Sequence, residues 1–176
     1  ESNLDNLVFL DNGTQFVITS EKSGYMHLYL YDLNGRERQA ITKGNFDIID
    51  FYGYDPVRKL FYYSSYEESP LEKYIYSINE KGLKKKLTPV KGWNEASFSK
   101  NFNYYINVVS NTDTPPVTAL YNAKGKQVRV LEDNKAVKEA VKAYNLAKPE
   151  FIQIPAADGK TMLNAWIMKP VNQEAG

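Results

Sequence analysis

One histidine and no cysteine limit the chemistry that this 176-residue chain could perform. A serine hydrolase needs a nucleophile, a histidine base and an orienting acid, and in the α/β type the serine sits in a Gly-x-Ser-x-Gly elbow. No such elbow occurs, and His27 falls inside a predicted strand, which makes it a packing or hydrogen-bonding residue. A lone histidine without cysteines does not make a zinc site, and without cysteine there is no disulfide framework. Asp32-Leu33-Asn34-Gly35 opens like a calcium loop but lacks the remaining ligands and the closing bidentate glutamate, so it reads as a hairpin turn. Asn12-Gly13-Thr14 has the form of a glycosylation sequon and reads as an Asn-Gly turn. No catalytic, substrate-binding, cofactor-binding or metal-binding residue is assigned, and no cofactor is expected.

Other conspicuous residues have structural readings. The run Lys84-Lys85-Lys86 suits an outermost strand, where lysines discourage edge-to-edge pairing. Tyr62-Tyr63 and Tyr104-Tyr105 could line a sugar- or peptide-binding surface, but alternating aromatics on strands are read here as core between sheets. Net charge is +1 with acids and bases interspersed, which gives no sign of nucleic acid or of an anionic membrane as partner. No signal peptide or transmembrane run is visible.

The elements that hold these residues repeat. Leu7–Leu10, Gln15–Ser20, His27–Tyr31 and Arg38–Thr42 read as four short strands, with Phe16 and Ile18 facing away from Val17 and Thr19. The pattern returns as Ile48–Tyr52, Leu60–Tyr66, Tyr74–Ile78 and Leu83–Thr88, with a longer loop at Glu67–Lys73. It returns again as Ala96–Ser99, Tyr104–Ser110, Thr118–Tyr121 and Gln127–Leu131, with a proline-rich loop at Thr112–Pro116. An Asn-x-x-Gly-like turn precedes each last strand, and the closures Lys43-Gly44 and Lys91-Gly92 lie 48 residues apart. A period of about 40–50 residues holding four strands is that of a β-propeller blade. With 14 Tyr, 8 Phe and 2 Trp, the apolar content suits pleated sheets. The expected fold is all-β: a partial β-propeller of about three four-stranded antiparallel blades over residues 1–132 (about 7–44, 46–92 and 93–132).

After Leu131 the pattern changes. Asp133-Asn134 can start a helix, and Val137, Ala140, Val141 and Tyr144 recur at helical spacing. A linking helix is expected within 133–148, its apolar face buried against the last blade or the C-terminal hairpin. That hairpin is read from Glu150–Ile154 and Thr161–Met168, around Asp158-Gly159, within a 149–176 segment that belongs to no blade.

Specific stretches resemble the dipeptidyl peptidase IV family of prolyl oligopeptidase-type serine peptidases. They are Asp11 to Phe16, Ser20 to Leu28 with Gly24-Tyr25-x-His27, Ile41 to Gly44, Arg129 to Asn134, and Met162 to Pro170 ending Trp-Ile-Met-Lys-Pro. The resemblance runs along nearly the whole chain. It implies an eight-bladed propeller capping an α/β-hydrolase domain that releases Xaa-Pro or Xaa-Ala dipeptides from peptides, in an exported protein, periplasmic or at the cell surface. It places the serine-aspartate-histidine triad beyond Gly176 and the paired glutamates that hold the substrate's amino terminus before Glu1, so Glu67-Glu68, in a loop of the wrong repeat, is not that pair. These blades would form part of the cap that gates and supports the active site. Self-association through open blade faces or the C-terminal hairpin is expected of the chain alone. The alternatives are a non-catalytic propeller serving as a protein- or glycan-binding platform, and a sibling tripeptidyl or acylaminoacyl peptidase.

Overall fold

The computed structural model describes residues 7–10, 13–144 and 146–171. Three antiparallel meanders succeed one another. The first comprises β1 (Val8–Phe9), β2 (Gln15–Ser20), β3 (His27–Asp32) and β4 (Glu37–Ala40). The second comprises β5 (Ile48–Asp55), β6 (Leu60–Ser65), β7 (Tyr74–Ile78) and β8 (Lys84–Lys86). The third comprises β9 (Trp93–Phe98), β10 (Tyr104–Asn111), β11 (Thr114–Asn122) and β12 (Gln127–Glu132). Each sheet keeps its strands in sequence order, so every connection is a hairpin and every sheet is one blade of a partial β-propeller.

One turn is built three times. The side-chain oxygen of Asp32 accepts from the N–H groups of Asn34 and Arg36; Asn79 does the same for Lys81 and Leu83, and Asn122 for Lys124 and Lys126, all at 3.0–3.1 Å. The glycine three residues on, Gly35, Gly82 or Gly125, takes φ of 75°, 80° or 77°, where a side chain would strain the backbone. A second device recurs where β4 and β8 end. Thr42 Oγ1 accepts from the N–H of Leu28, and Thr88 Oγ1 from that of Ile75, both at 3.0 Å, extending each ladder by one bond. Gly92, at φ 141°, carries the chain into the third blade; a Cβ there would fall on the carbonyl oxygen of Ser110.

The period of two distributes the aromatic residues. On β6, Phe61 and Tyr63 enter a core between the first and second blades with Val17, Leu28 and Leu30. Tyr62, between them in sequence, enters the second core with Ile75, Leu87, Tyr105 and Tyr121. The middle blade is therefore buried on both faces, and β7 is buried at every position. The outer blades each leave one face open, with Phe9 exposed on the first and Tyr104 and Ile106 on the third. Each fully buried aromatic contributes about 1.5–3 kcal/mol of transfer free energy.

Several expectations need correction. Thr112–Pro116 is not a loop: β11 starts at Thr114, and both prolines lie where the pairing with β10 is interrupted, between Val109↔Val117 and Asn111↔Thr114. Neither has to donate to a regular ladder there. β5 continues past Tyr52 to Asp55 through two register irregularities, one ending at Gly53. The turn at Asp11-Asn12 and the sequon's Asn12 lie outside the described residues, although Gly13 donates to Leu10 O and Leu10 to Gln15 O, both at 2.9 Å.

The helix α1 (Lys135–Lys142) is eight residues long, shorter than the 133–148 segment expected to contain it. Asp133 caps it by accepting from Lys135 N at 3.0 Å. Asn134 instead adopts a left-handed conformation, makes no side-chain cap and donates to Pro116 O, tying the helix start to β11. The expected burial of its apolar face does not occur: Val141 is 42% and Tyr144 75% exposed, and no helix residue is buried. The physical reason is that the hydrogen bond tying it to the blades is made at its start, from Asn134 to Pro116 of β11, and leaves the apolar face in solvent. Finally, β13 (Pro149–Pro155) and β14 (Met162–Met168) form a separate two-stranded sheet. Among the described residues no helix is long and apolar enough to cross a membrane.

Candidate functional site

His27 is held in a closed set of hydrogen bonds. Its Nε2 lies 3.0 Å from Gly44 O, and a carbonyl can only accept, so Nε2 carries the proton. Nδ1 lies 3.0 Å from Thr42 Oγ1; in the tautomer with the proton on Nε2 it accepts, so the hydroxyl donates to the ring while its oxygen accepts from the N–H of Leu28. The Phe46 ring meets the imidazole edge-on, and His27 is buried. Both nitrogens are committed to positioning the first blade's closure. Asp32 is similarly occupied: one oxygen organises the turn and the other pairs with Arg38 at 3.1 Å.

A second cluster has no counterpart among the sequence expectations. Lys73, the residue before β7, is 4% exposed. Its ammonium lies 3.3 Å from Asp50 Oδ2 and 3.6 Å from Glu95 Oε1, and 4.9 Å from the centre of the Trp93 ring. Its backbone donates to Gly92 O and accepts from Asn94 N, both at 3.1 Å, which stitches the second blade to the third. Asp50 also receives the hydroxyls of Ser64 (2.7 Å) and Tyr52 (3.3 Å). Burial pushes the Asp50 carboxyl up, but the Ser64 hydrogen bond and the Lys73 charge outweigh it and leave it below the ordinary carboxylate value. Ser64 is fully buried with its proton directed at this carboxylate, so it meets neither a histidine nor substrate. No sequence signal marks Lys73 as buried, because its partners come from β5 and β9.

The acidic pair Glu67-Glu68 faces lysines. Glu67 pairs with Lys84 at 2.5 Å, Glu68 with Lys86 at 2.7 Å, and Glu72 with Lys91 at 2.9 Å. The hydrogen bond from Lys86 holds Glu68 below its ordinary pKa, and that from Tyr74 does the same for Glu72. The lysine run does occupy the outermost strand of its blade, but two of its three members also bind this loop. Of the aromatic pairs, Tyr62, Tyr63 and Tyr105 are core, whereas Tyr104 stands on the open face of the third blade.

The arrangement best suited to interaction is the C-terminal pair of elements. In the hairpin register, Phe151 lies opposite Trp166 on one face, and Ile154 opposite Leu163 on the other. Both faces are apolar and exposed, with Trp166 at 64%, and α1 presents Val137 and Val141, with Tyr144 just past its end, beside them in sequence. An isolated two-stranded hairpin is marginal in water. Two exposed apolar faces suit this hairpin to packing rather than to chemistry.

Comparison with known proteins accords with this geometry. The profile of the dipeptidyl peptidase IV (DPP IV) N-terminal region matches residues 1–116. A crystal structure of Porphyromonas gingivalis dipeptidyl peptidase 4 superposes on 97% of the chain with a TM-score of 0.90 and 41% identity, the match covering 24% of that chain. A probable dipeptidyl peptidase 4 of Aspergillus flavus is 30% identical over 173 residues, and the dipeptidyl peptidase 4 of Trichophyton rubrum is 30% identical over 172. Each alignment covers 90% of the chain and 22% of the relative, so the chain spans about a fifth of the length of these relatives.

Proposed function

The chain belongs to the dipeptidyl peptidase IV family, and we propose that it is the closing part of the propeller cap of a serine-type dipeptidyl peptidase. The parent enzyme releases N-terminal Xaa-Pro or Xaa-Ala dipeptides from peptides in an exported location. On this reading residues 1–132 are cap, 133–148 link the cap to the catalyst, and 149–176 open the hydrolase domain. The blades gate and support the active site without contributing catalytic residues.

The supporting observation is the hairpin. It is apolar on both faces, joined to the last blade by an uncovered amphipathic helix, and included in the superposition on the P. gingivalis enzyme. A propeller acting only as a binding platform has no use for such an element. Two uncovered blade faces and this hairpin also favour self-association of the chain in isolation.

The test is product analysis by mass spectrometry. The parent polypeptide is incubated with a decapeptide whose second residue is proline, with and without a fluorophosphonate that labels reactive serines. Release of an intact N-terminal dipeptide, abolished by the fluorophosphonate, is expected; the 176-residue chain alone releases nothing. A tripeptide product, an N-acylated amino acid from a blocked peptide, or no product from the parent overturns the assignment.

A further inference from the structure

The loop of residues 66–72, joining β6 to β7, lies beside the core between the first and second blades, over residues of the second blade. Tyr74 and Tyr76, which belong to that core, donate their hydroxyls to Glu72 and Glu68 of the loop. The lysines that answer these glutamates come from β8 and the segment just after it. Strand alternation divides the lysine run: Lys84 and Lys86 face the loop, while Lys85 faces the opposite way and donates to Lys124 O in the third blade at 2.8 Å. The ammonium groups of the two clamping lysines also lie over aromatic rings, that of Lys86 at 3.7 Å from the centre of Tyr74 and that of Lys84 at 5.4 Å from that of Tyr76.

The closed loop leaves groups unsatisfied. Glu67 Oε1 and the Tyr63 hydroxyl are buried and meet no hydrogen-bond partner among the described residues. Burying polar groups in this way opposes closure, whereas the ion pairs that favour it lie partly in solvent, where each is weak and screened by salt. The far end is fixed, because Lys73 is buried and bonded through its backbone to Gly92 and Asn94. Within the loop, hydrogen bonds are short-range: Ser69 N to Tyr66 O, Glu72 N to Ser69 O and Leu71 N to Ser69 Oγ, at 3.1–3.2 Å.

We infer that residues 66–72 form an electrostatic strap, closed over the second blade by Glu67–Lys84, Glu68–Lys86 and Glu72–Lys91 and released when those charges are screened or removed. Release hydrates Glu67 and Tyr63 and uncovers the edge of the adjoining core while the blades stay folded. The strap is a salt-responsive element of the propeller wall, independent of the peptidase reading.

Amide hydrogen exchange on the chain tests this. Between 20 mM and 1 M NaCl, where the Debye length falls to about 3 Å, exchange at Ser69, Leu71 and Glu72 should accelerate about tenfold. Amides of β10 and β11 should change by less than about twofold, since their protection reflects sheet packing. The variant K84Q/K86Q should exchange fast at low salt already, K85Q should behave as wild type, and the swap E67K/K84E should restore part of the protection. Exchange indifferent to salt and to K84Q/K86Q overturns the inference. So does acceleration that spreads equally to β10 and β11. A swap that restores nothing, with K85Q as disruptive as K84Q/K86Q, assigns the effect to lysine packing and overturns it too.

Discussion

Deleting one phenol oxygen at two neighbouring core positions should change stability in opposite directions. Tyr105 and Tyr62 share the core between the second and third blades, and each is essentially inaccessible to solvent. The Tyr105 hydroxyl donates to Leu87 O at 3.0 Å, whereas the Tyr62 hydroxyl meets no hydrogen-bond partner among the described residues. Tyr105→Phe strands a buried carbonyl and should cost about 1–2 kcal/mol; Tyr62→Phe removes an unpaired polar atom and should be neutral or stabilising by up to about 1 kcal/mol. For a chain of this size the separation corresponds to about 2–4 °C in Tm per kcal/mol. Urea titration of both variants, with an unchanged slope, measures it directly. The pH dependence gives a second readout. Burial, aided by the Asp55 charge, pushes the Tyr62 phenol up to about 12. A raised phenol contributes stability that is complete below its unfolded value of about 10 and is lost as pH rises toward the folded value. Tyr62→Phe should therefore make the loss of stability above pH 10 shallower. Equal destabilisation by the two variants would show that the Tyr62 hydroxyl has a partner in the folded protein, contrary to its unpaired burial.

Gly92→Ala should destabilise by at least about 3 kcal/mol, because the new Cβ meets the Ser110 carbonyl in a backbone region that side chains avoid; denaturant midpoints check this. Thr88→Val should cost about 1–2 kcal/mol by leaving the Ile75 N–H unpaired inside the sheet, again read from urea titration. Val141→Asp should change the stability of the isolated chain by less than about 0.5 kcal/mol, because the site is open to water. In the parent enzyme the same change should cost several times more if the helix is covered there, which thermal unfolding of both forms would show.

The blades are legible in the sequence because their rules are local. Alternation places Val17 and Thr19 opposite Phe16 and Ile18, and the Asx-x-x-Gly turns announce each last strand at Asp32, Asn79 and Asn122. Features that depend on partners from another blade are not legible. Lys73 looks like any surface lysine until β5 and β9 bring Asp50 and Glu95 to it. Glu67-Glu68 and the lysine run each stand out in the sequence, yet their pairing depends on how the loop folds back on β8. The prolines at 115 and 116 signal a loop by composition, whereas the irregular pairing with β10 lets the strand absorb them. The helix shows the opposite failure: its amphipathic spacing is plain, but nothing among the described residues covers the face it defines.

The most direct test of the account is the protection of the hairpin in two contexts. Hydrogen exchange at Ile152, Gln153 and Ile154 of β13, and at Asn164 and Ala165 of β14, is measured in the 176-residue chain as a monomer at low concentration and in the parent enzyme. Weak protection is expected in the chain, as for a marginal two-stranded sheet, and at least about a hundredfold slower exchange in the parent if a second domain covers both apolar faces there. Equal protection in the two would contradict the account, by showing that the hairpin needs no partner beyond this chain.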